Sequence, residues 1–174
     1  MKKIIVLIIF LTIIMNACSV QERMNPEIFF ERLFGISDEY MTESKEIYYE
    51  NGKCICFIND IYGSELVYEF SLSDNKDIYK ISFACNEADK AEKNIIYVKD
   101  IISVYAPQEN ADEIVESLTE NGKPHKGFSY YDTQWYSWAV YFDENGFFFS
   151  VTNNKIIEKT TVEYSLKPND KSGF

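Results

Sequence analysis

Cys54, Cys56, Cys85 and His125 are the side chains in the body of this 174-residue chain best suited to hold a metal or to attack an electrophile. Cys54 and Cys56 stand two apart in the apolar run "KCICFI", so on a strand both would point to one face, and with Cys85 and His125 they would complete a set of four zinc ligands. The spacing argues against that set. A single intervening residue on an extended strand does not make a zinc knuckle, and His125 stands in "NGKPHKG", where Gly, Pro and Lys offer no packing to place a catalytic base. A disulfide from Cys85 to either partner would have to cross an intervening strand of a meander, about 9–10 Å, which is beyond bridging distance. The expectation is three buried free thiols, no metal and no cofactor. No glycine-rich phosphate loop, no "HExxH" and no calcium-loop spacing of carboxylates occurs in the chain. With 28 acidic residues, a carboxylate pair of glycosidase type is the enzymatic option left, although no pair stands out.

Aromatic residues offer a second kind of chemistry, recognition. In "FSYYDTQWYSWAVYFDENGFFFSV" rings follow one another on what read as strands, where successive side chains point to opposite faces. Trp135 and Ser137 would face one way, Tyr136 and Trp138 the other. If helices cover only one face, some of these rings are exposed, and Trp135, Tyr136 and Trp138 become a candidate surface for a protein or for stacking on sugar rings. If both faces are covered, they are core.

The elements that must position these residues are legible as periodicities. "NPEIFFERLFG" reads as a helix capped by Asn25, opened by Pro26 and ended by Gly35, with Phe29, Phe30, Leu33 and Phe34 on its core face. "ISDEYMTES" suggests a short helical turn begun at Ser37. "EIYYENGKCICFI" is a hairpin about Asn51-Gly52, and "SELVYEFSL" and "DIYKISFAC" follow as strands burying Leu66, Tyr68, Phe70 and Leu72, and Tyr79, Ile81, Phe83 and Cys85. From Glu87 the period lengthens: Ala88, Ala91, Ile95, Val98, Ile102 and Tyr105 mark a helix stopped before Pro107. A second helix begins at Asn110 with Glu113 in a capping-box arrangement, buries Ala111, Ile114, Val115 and Leu118, and ends at Asn121-Gly122. "GFSYY", "QWYSWAVYF", "GFFFSV" and a further segment "TTVEYSL" return to strand character. The expected fold is α+β, with antiparallel β-sheet packed on an N-terminal helix and a central helix pair.

The chain opens differently. Lys2 and Lys3 precede an apolar run from Ile4 to Met15, and about 12 residues at ~1.5 Å rise are too short to cross a bilayer. This is an export signal in outline. Met15-Asn16-Ala17-Cys18 at its end resembles the lipobox of bacterial lipoprotein precursors, with Ala17 and Cys18 in pattern and Met15 and Asn16 departing from the usual residues. The resemblance implies that the chain is cut before Cys18 and that the Cys18 sulfur carries a diacylglycerol, so that the protein is anchored on the outer face of a bacterial cytoplasmic membrane. The domain organisation follows: signal peptide 1–17, lipidated Cys and tether 18–25, a single domain 26–166 and a loose tail 167–174.

Charge narrows the partners. The formal net charge is −11, and loss of Lys2 and Lys3 lowers it to −13, a balance that disfavours nucleic acid, whose binding rests on neutralising phosphates with Lys and Arg. The expectation is a lipid-anchored extracytoplasmic recognition or accessory module for an envelope protein or glycan, rather than an enzyme. The alternative is a small envelope hydrolase using a carboxylate pair.

Overall fold

A computed structural model describes residues 23–85, 91–120, 126–144 and 146–157. The segment 1–17, Cys18, His125, "TTVEYSL" and the tail 167–174 lie outside these residues, as does Ala88. The protein is α+β: helix α1 (Pro26–Ile36), strands β1 (Tyr40–Glu50), β2 (Lys53–Asp60), β3 (Glu65–Leu72) and β4 (Ile78–Cys85), helices α2 (Ala91–Tyr105) and α3 (Ala111–Leu118), then β5 (Gly127–Asp132), β6 (Tyr136–Asp143) and β7 (Gly146–Asn153). The strands form one seven-stranded sheet in the order β1-β2-β3-β4-β7-β6-β5. All neighbours are antiparallel.

Local chemistry explains the ends of the elements. Asn25 Oδ1 accepts the Ile28 amide at 2.9 Å and Pro26 fills the first turn of α1. Asn110 caps α3 in the same way through the Glu113 amide at 3.3 Å. Asn51 and Gly52 take φ values of 49° and 74°, which give the tight turn between β1 and β2 its match to the strand twist.

Five expectations are corrected. Helix α3 ends at Leu118 with extended Thr119 as its cap, before Asn121-Gly122, which lie outside the described residues. Gly35 lies inside α1, which runs on to Ile36 before extended Ser37 ends it. The stretch from Tyr40 is strand and not helix: Tyr40 pairs with Asp60 and Met41 with Asn59, with a register shift before Glu46, so pairing to β2 overrides the weak helical start at Ser37. At the β3–β4 turn, Leu72 pairs with Ile78 but Ser71 with Lys80, so the extra residue Tyr79 displaces the alternation. Ile78 is buried in consequence, while Leu72 and Tyr79 are half-buried. Trp135 precedes β6 and sits in the β5–β6 connection.

One contiguous core joins the elements. Phe29 and Phe30 of α1 meet Phe70 on β3 with ring centroids 5.2 and 5.5 Å apart. Tyr97 of α2 meets Phe83 on β4 at 5.8 Å, and Tyr105 meets Tyr136 on β6 at 5.8 Å while its hydroxyl donates to the Ile78 carbonyl at 2.8 Å. Each fully buried ring contributes about 1.5–3 kcal/mol by leaving water, so these contacts fasten both helices to the sheet.

Candidate functional site

Register divides the sheet into two unlike sets of side chains. Cys54, Phe70, Ile81, Val151 and Trp138 stand in one cross-strand row, and Cys56, Tyr68, Phe83, Phe149 and Val140 in the next; all of these are buried. The alternate residues form the second face. One of its rows runs Glu46, Phe57, Val67, Ala84, Phe148, Tyr141 and Phe128; its neighbour runs Tyr48, Ile55, Glu69, Ser82, Ser150, Ala139 and Tyr130. Every residue in these two rows is half-buried or exposed. Among the described residues, no helix side chain is in ring contact with this face.

The second face carries aromatic groups at both ends. On β5, Phe128 and Tyr130 are 59% and 71% exposed and lie nearly parallel, 5.9 Å apart. Tyr141 of β6 approaches Phe128 to 4.5 Å, and its hydroxyl donates to Asp143 Oδ2 at 2.7 Å. That hydrogen bond, followed by a slight loss of hydration, raises the Tyr141 phenol above its ordinary pKa. At the other end Tyr48, 55% exposed, meets Phe57 edge-on at 6.0 Å and donates to Glu46 Oε2 at 2.7 Å, with the same upward shift from the same cause. Between these ends the short side chains Val67, Ser82, Ala84, Ala139 and Ser150 alternate with Glu69 on β3 and Phe148 on β7.

The three aromatic residues singled out from the sequence are divided. Tyr136 and Trp138 are buried on the core face, where their rings are 5.4 Å apart and the Tyr136 hydroxyl accepts from Gln108 Nε2 at 2.9 Å. Trp135 is 38% exposed in its loop, with Lys155 Nζ 5.0 Å from its ring centroid. The structure therefore does not bring them to one surface. In the same stretch of sequence the most exposed rings are Phe128 and Tyr130, two positions apart on β5, and the signal for them was that same period of two. What the signal lacked was which set faces the core.

The carboxylates with a distinctive environment surround α2. Asp60, fully buried at the end of β2, accepts the amides of Tyr62 and Ser64 on Oδ1, both at 2.8 Å, and on Oδ2 the Tyr97 hydroxyl at 2.7 Å and the Lys93 ammonium. Burial by itself would raise its pKa, but the bonds from Lys93, Tyr97 and Ser64 outweigh that and hold the carboxyl well below the usual range. Asp100 is shifted upward by burial, which the hydrogen bond from Tyr40 only partly offsets. Environments that push two carboxyls apart are a mark of acid–base sites. Here, however, both oxygens of Asp60 are taken up by four bonds within the chain, so it has little capacity left for a substrate. A separate groove of about 700 Å³ opens between the start of α1 and the β1–β2 and β3–β4 turns, with Glu27 and Glu50 in its lining. Both are exposed to water. Among the described residues no cluster of three or more His, Cys, Asp or Glu side chains suited to a metal is present.

Cys54, Cys56 and Cys85 are buried, with Cys54 and Cys56 Sγ atoms 3.6 Å apart under the core face. Strand β3 separates them from Cys85. Fold and surface together define an α+β protein with a single antiparallel sheet whose half-buried and exposed face carries aromatic groups at both ends. Compared with known proteins, the chain matches no family model, no curated protein and no solved structure.

Proposed function

We propose that this chain is a lipid-anchored extracytoplasmic recognition or accessory module of a bacterial envelope. Cys18 carries the lipid, and α1 with the α2–α3 pair forms a layer on one face of the sheet, leaving the other to bind an envelope protein or glycan. The observation that carries this reading is the group Phe128, Tyr130 and Tyr141: three neighbouring rings, two of them more than half exposed, on the face opposite the buried rows of the sheet. Exposed large rings clustered on a sheet are costly to leave in water and typical of contact surfaces. The short tether, residues 19–25, extends at most ~25 Å, which keeps such a module within reach of neighbours at the membrane.

The test is affinity capture from detergent-solubilised envelopes with the mature domain and with a Phe128→Ala/Tyr130→Ala variant. Loss of specific capture at unchanged melting temperature is expected. Identical capture by both would overturn the assignment of the surface. Mass spectrometry of the N-terminal peptide tests the anchor separately: a diacylglycerol adduct on Cys18 is expected, and an unmodified Cys18 within an uncleaved chain defeats it.

A further inference from the structure

We infer that the partner of the second sheet face is a basic polypeptide, gripped by Lys or Arg side chains laid over Tyr48 at one end and over Tyr141 with its neighbours at the other. The inference rests on the recognition reading above and specifies the partner's chemistry. Three observations lead to it.

First, each of these tyrosines donates its hydroxyl proton to a carboxylate two residues away on its own strand, Tyr48 to Glu46 and Tyr141 to Asp143, both at 2.7 Å. A phenol that donates to an anion passes electron density to its ring, and an electron-rich ring face attracts a cation more strongly. The carboxylate beside it adds a full negative charge at the same spot. A neutral sugar ring would gain from the flat aromatic surface but nothing from that charge.

Second, the two aromatic rows hold no positive charge of their own among their described residues. Lys53 and Lys80 stand one row away with Ser71 between them, in the line that ends at Asp132, and Lys126 stands two positions before Phe128; Lys53 is already paired with Glu69 at 2.8 Å and Lys126 with Glu144 at 3.7 Å. The whole chain carries −11, so its field draws in cations and repels anionic polymers. Third, the chain already makes this kind of contact internally: Lys93 lies 3.7 Å from the Tyr62 ring centroid and Lys155 5.0 Å from that of Trp135.

Geometry sets the length of the partner segment. Tyr48 on β1 and Tyr141 on β6 are separated by five strand spacings, about 24 Å. An extended chain crosses that distance with roughly seven residues. The short side chains of Ser82, Ser150 and Ala139, in the row beside Ala84 and Phe148, leave room for its backbone, while Phe128, Tyr130 and Phe148 cover the apolar stems of its basic residues.

The test uses the mature protein and two labelled twelve-residue peptides, one with Arg and Ser alternating and one with citrulline replacing each Arg, followed by fluorescence anisotropy at physiological salt. The Arg peptide should bind and the citrulline peptide should not. Tyr141→Leu and Tyr48→Leu should each weaken binding roughly three- to fivefold, the size expected of one exposed cation–π contact, whereas Glu116→Gln on α3 should change it little. Equal losses from Glu116→Gln and Tyr141→Leu would mean that only the general field acts, and would overturn the inference. A chitin oligosaccharide that binds in a Tyr141-dependent manner when the Arg peptide does not would overturn the partner class but leave the recognition surface standing. If Tyr48 and Tyr141 matter to neither probe, both the inference and the surface beneath it fall.

Discussion

Tyr97 donates its hydroxyl to Asp60 across 2.7 Å, joining the middle of α2 to the end of β2 from 37 residues away. Lys93, one helical turn earlier, reaches the same carboxylate oxygen and also covers the ring of Tyr62. The β2–β3 turn closes on Asp60 from the other side, through the amides of Tyr62 and Ser64. The carboxylate is thus the joint between a turn, a strand and a helix, and its replacement should be felt in stability more than in binding.

Asp60→Asn should cost about 3 kcal/mol, because it removes one member of a buried charged pair and leaves Lys93 without its counter-charge. Lys53→Ala, which breaks an exposed pair with Glu69, should cost less than about 1 kcal/mol. Urea titration of the two variants checks the contrast. Equal losses would show that Asp60 is not the joint described.

The pH dependence has two opposed parts. Asp60 is held below its unfolded pKa of about 3.9, so its contribution is complete above that pH and is lost as pH falls further. Asp100 is raised by burial, so its ionisation opposes folding as pH rises above about 4, the unfolded value. Asp100→Asn should therefore raise the melting temperature at pH 7 and do so less at pH 4, while Asp60→Asn should flatten the acid limb. Melting curves from pH 3 to 7 for both variants are the measurement.

Trp138→Ala and Tyr136→Ala should each cost on the order of 3–5 kcal/mol through lost burial and a cavity. Trp135→Ala should cost under about 1 kcal/mol, since its ring is partly in water and its polar contact is an exposed cation–π pair with Lys155. Among the described residues the buried Trp138 Nε1 has no hydrogen-bond partner. Trp138→Phe should accordingly be milder than Trp138→Ala, with no hydrogen bond to lose. Thermal melts of the four variants separate these cases.

Cys54, Cys56 and Cys85 should react slowly with an aromatic disulfide reagent in the folded protein and rapidly in denaturant, because all three are buried. Rapid modification of Cys54 or Cys56 under native conditions would show that the core face beside α1 opens readily. Absorbance of the released thiolate follows the reaction directly.

The sequence by itself determined what is local. Asn51-Gly52 could hardly be anything but a tight turn, Asn25 and Asn110 are caps because their short side chains reach an amide three residues on, and a period of two places Cys54 beside Cys56 on one face. These follow from chain geometry within a few residues. The tertiary structure decided everything that depends on distant partners. Pairing with Asp60 made Tyr40 the start of a strand despite the helical signal at Ser37, and the insertion of β7 between β4 and β6 left β5 as an edge. That order put Tyr136 and Trp138 in the core and Phe128 and Tyr130 in water, although alternation alone treats the two sets alike. It also brought Lys93 and Tyr97 to Asp60, a convergence with no trace in spacing. The reason is that periodicity records which residues share a face, while burial depends on what lies against that face, and that is set by contacts between segments far apart in the chain.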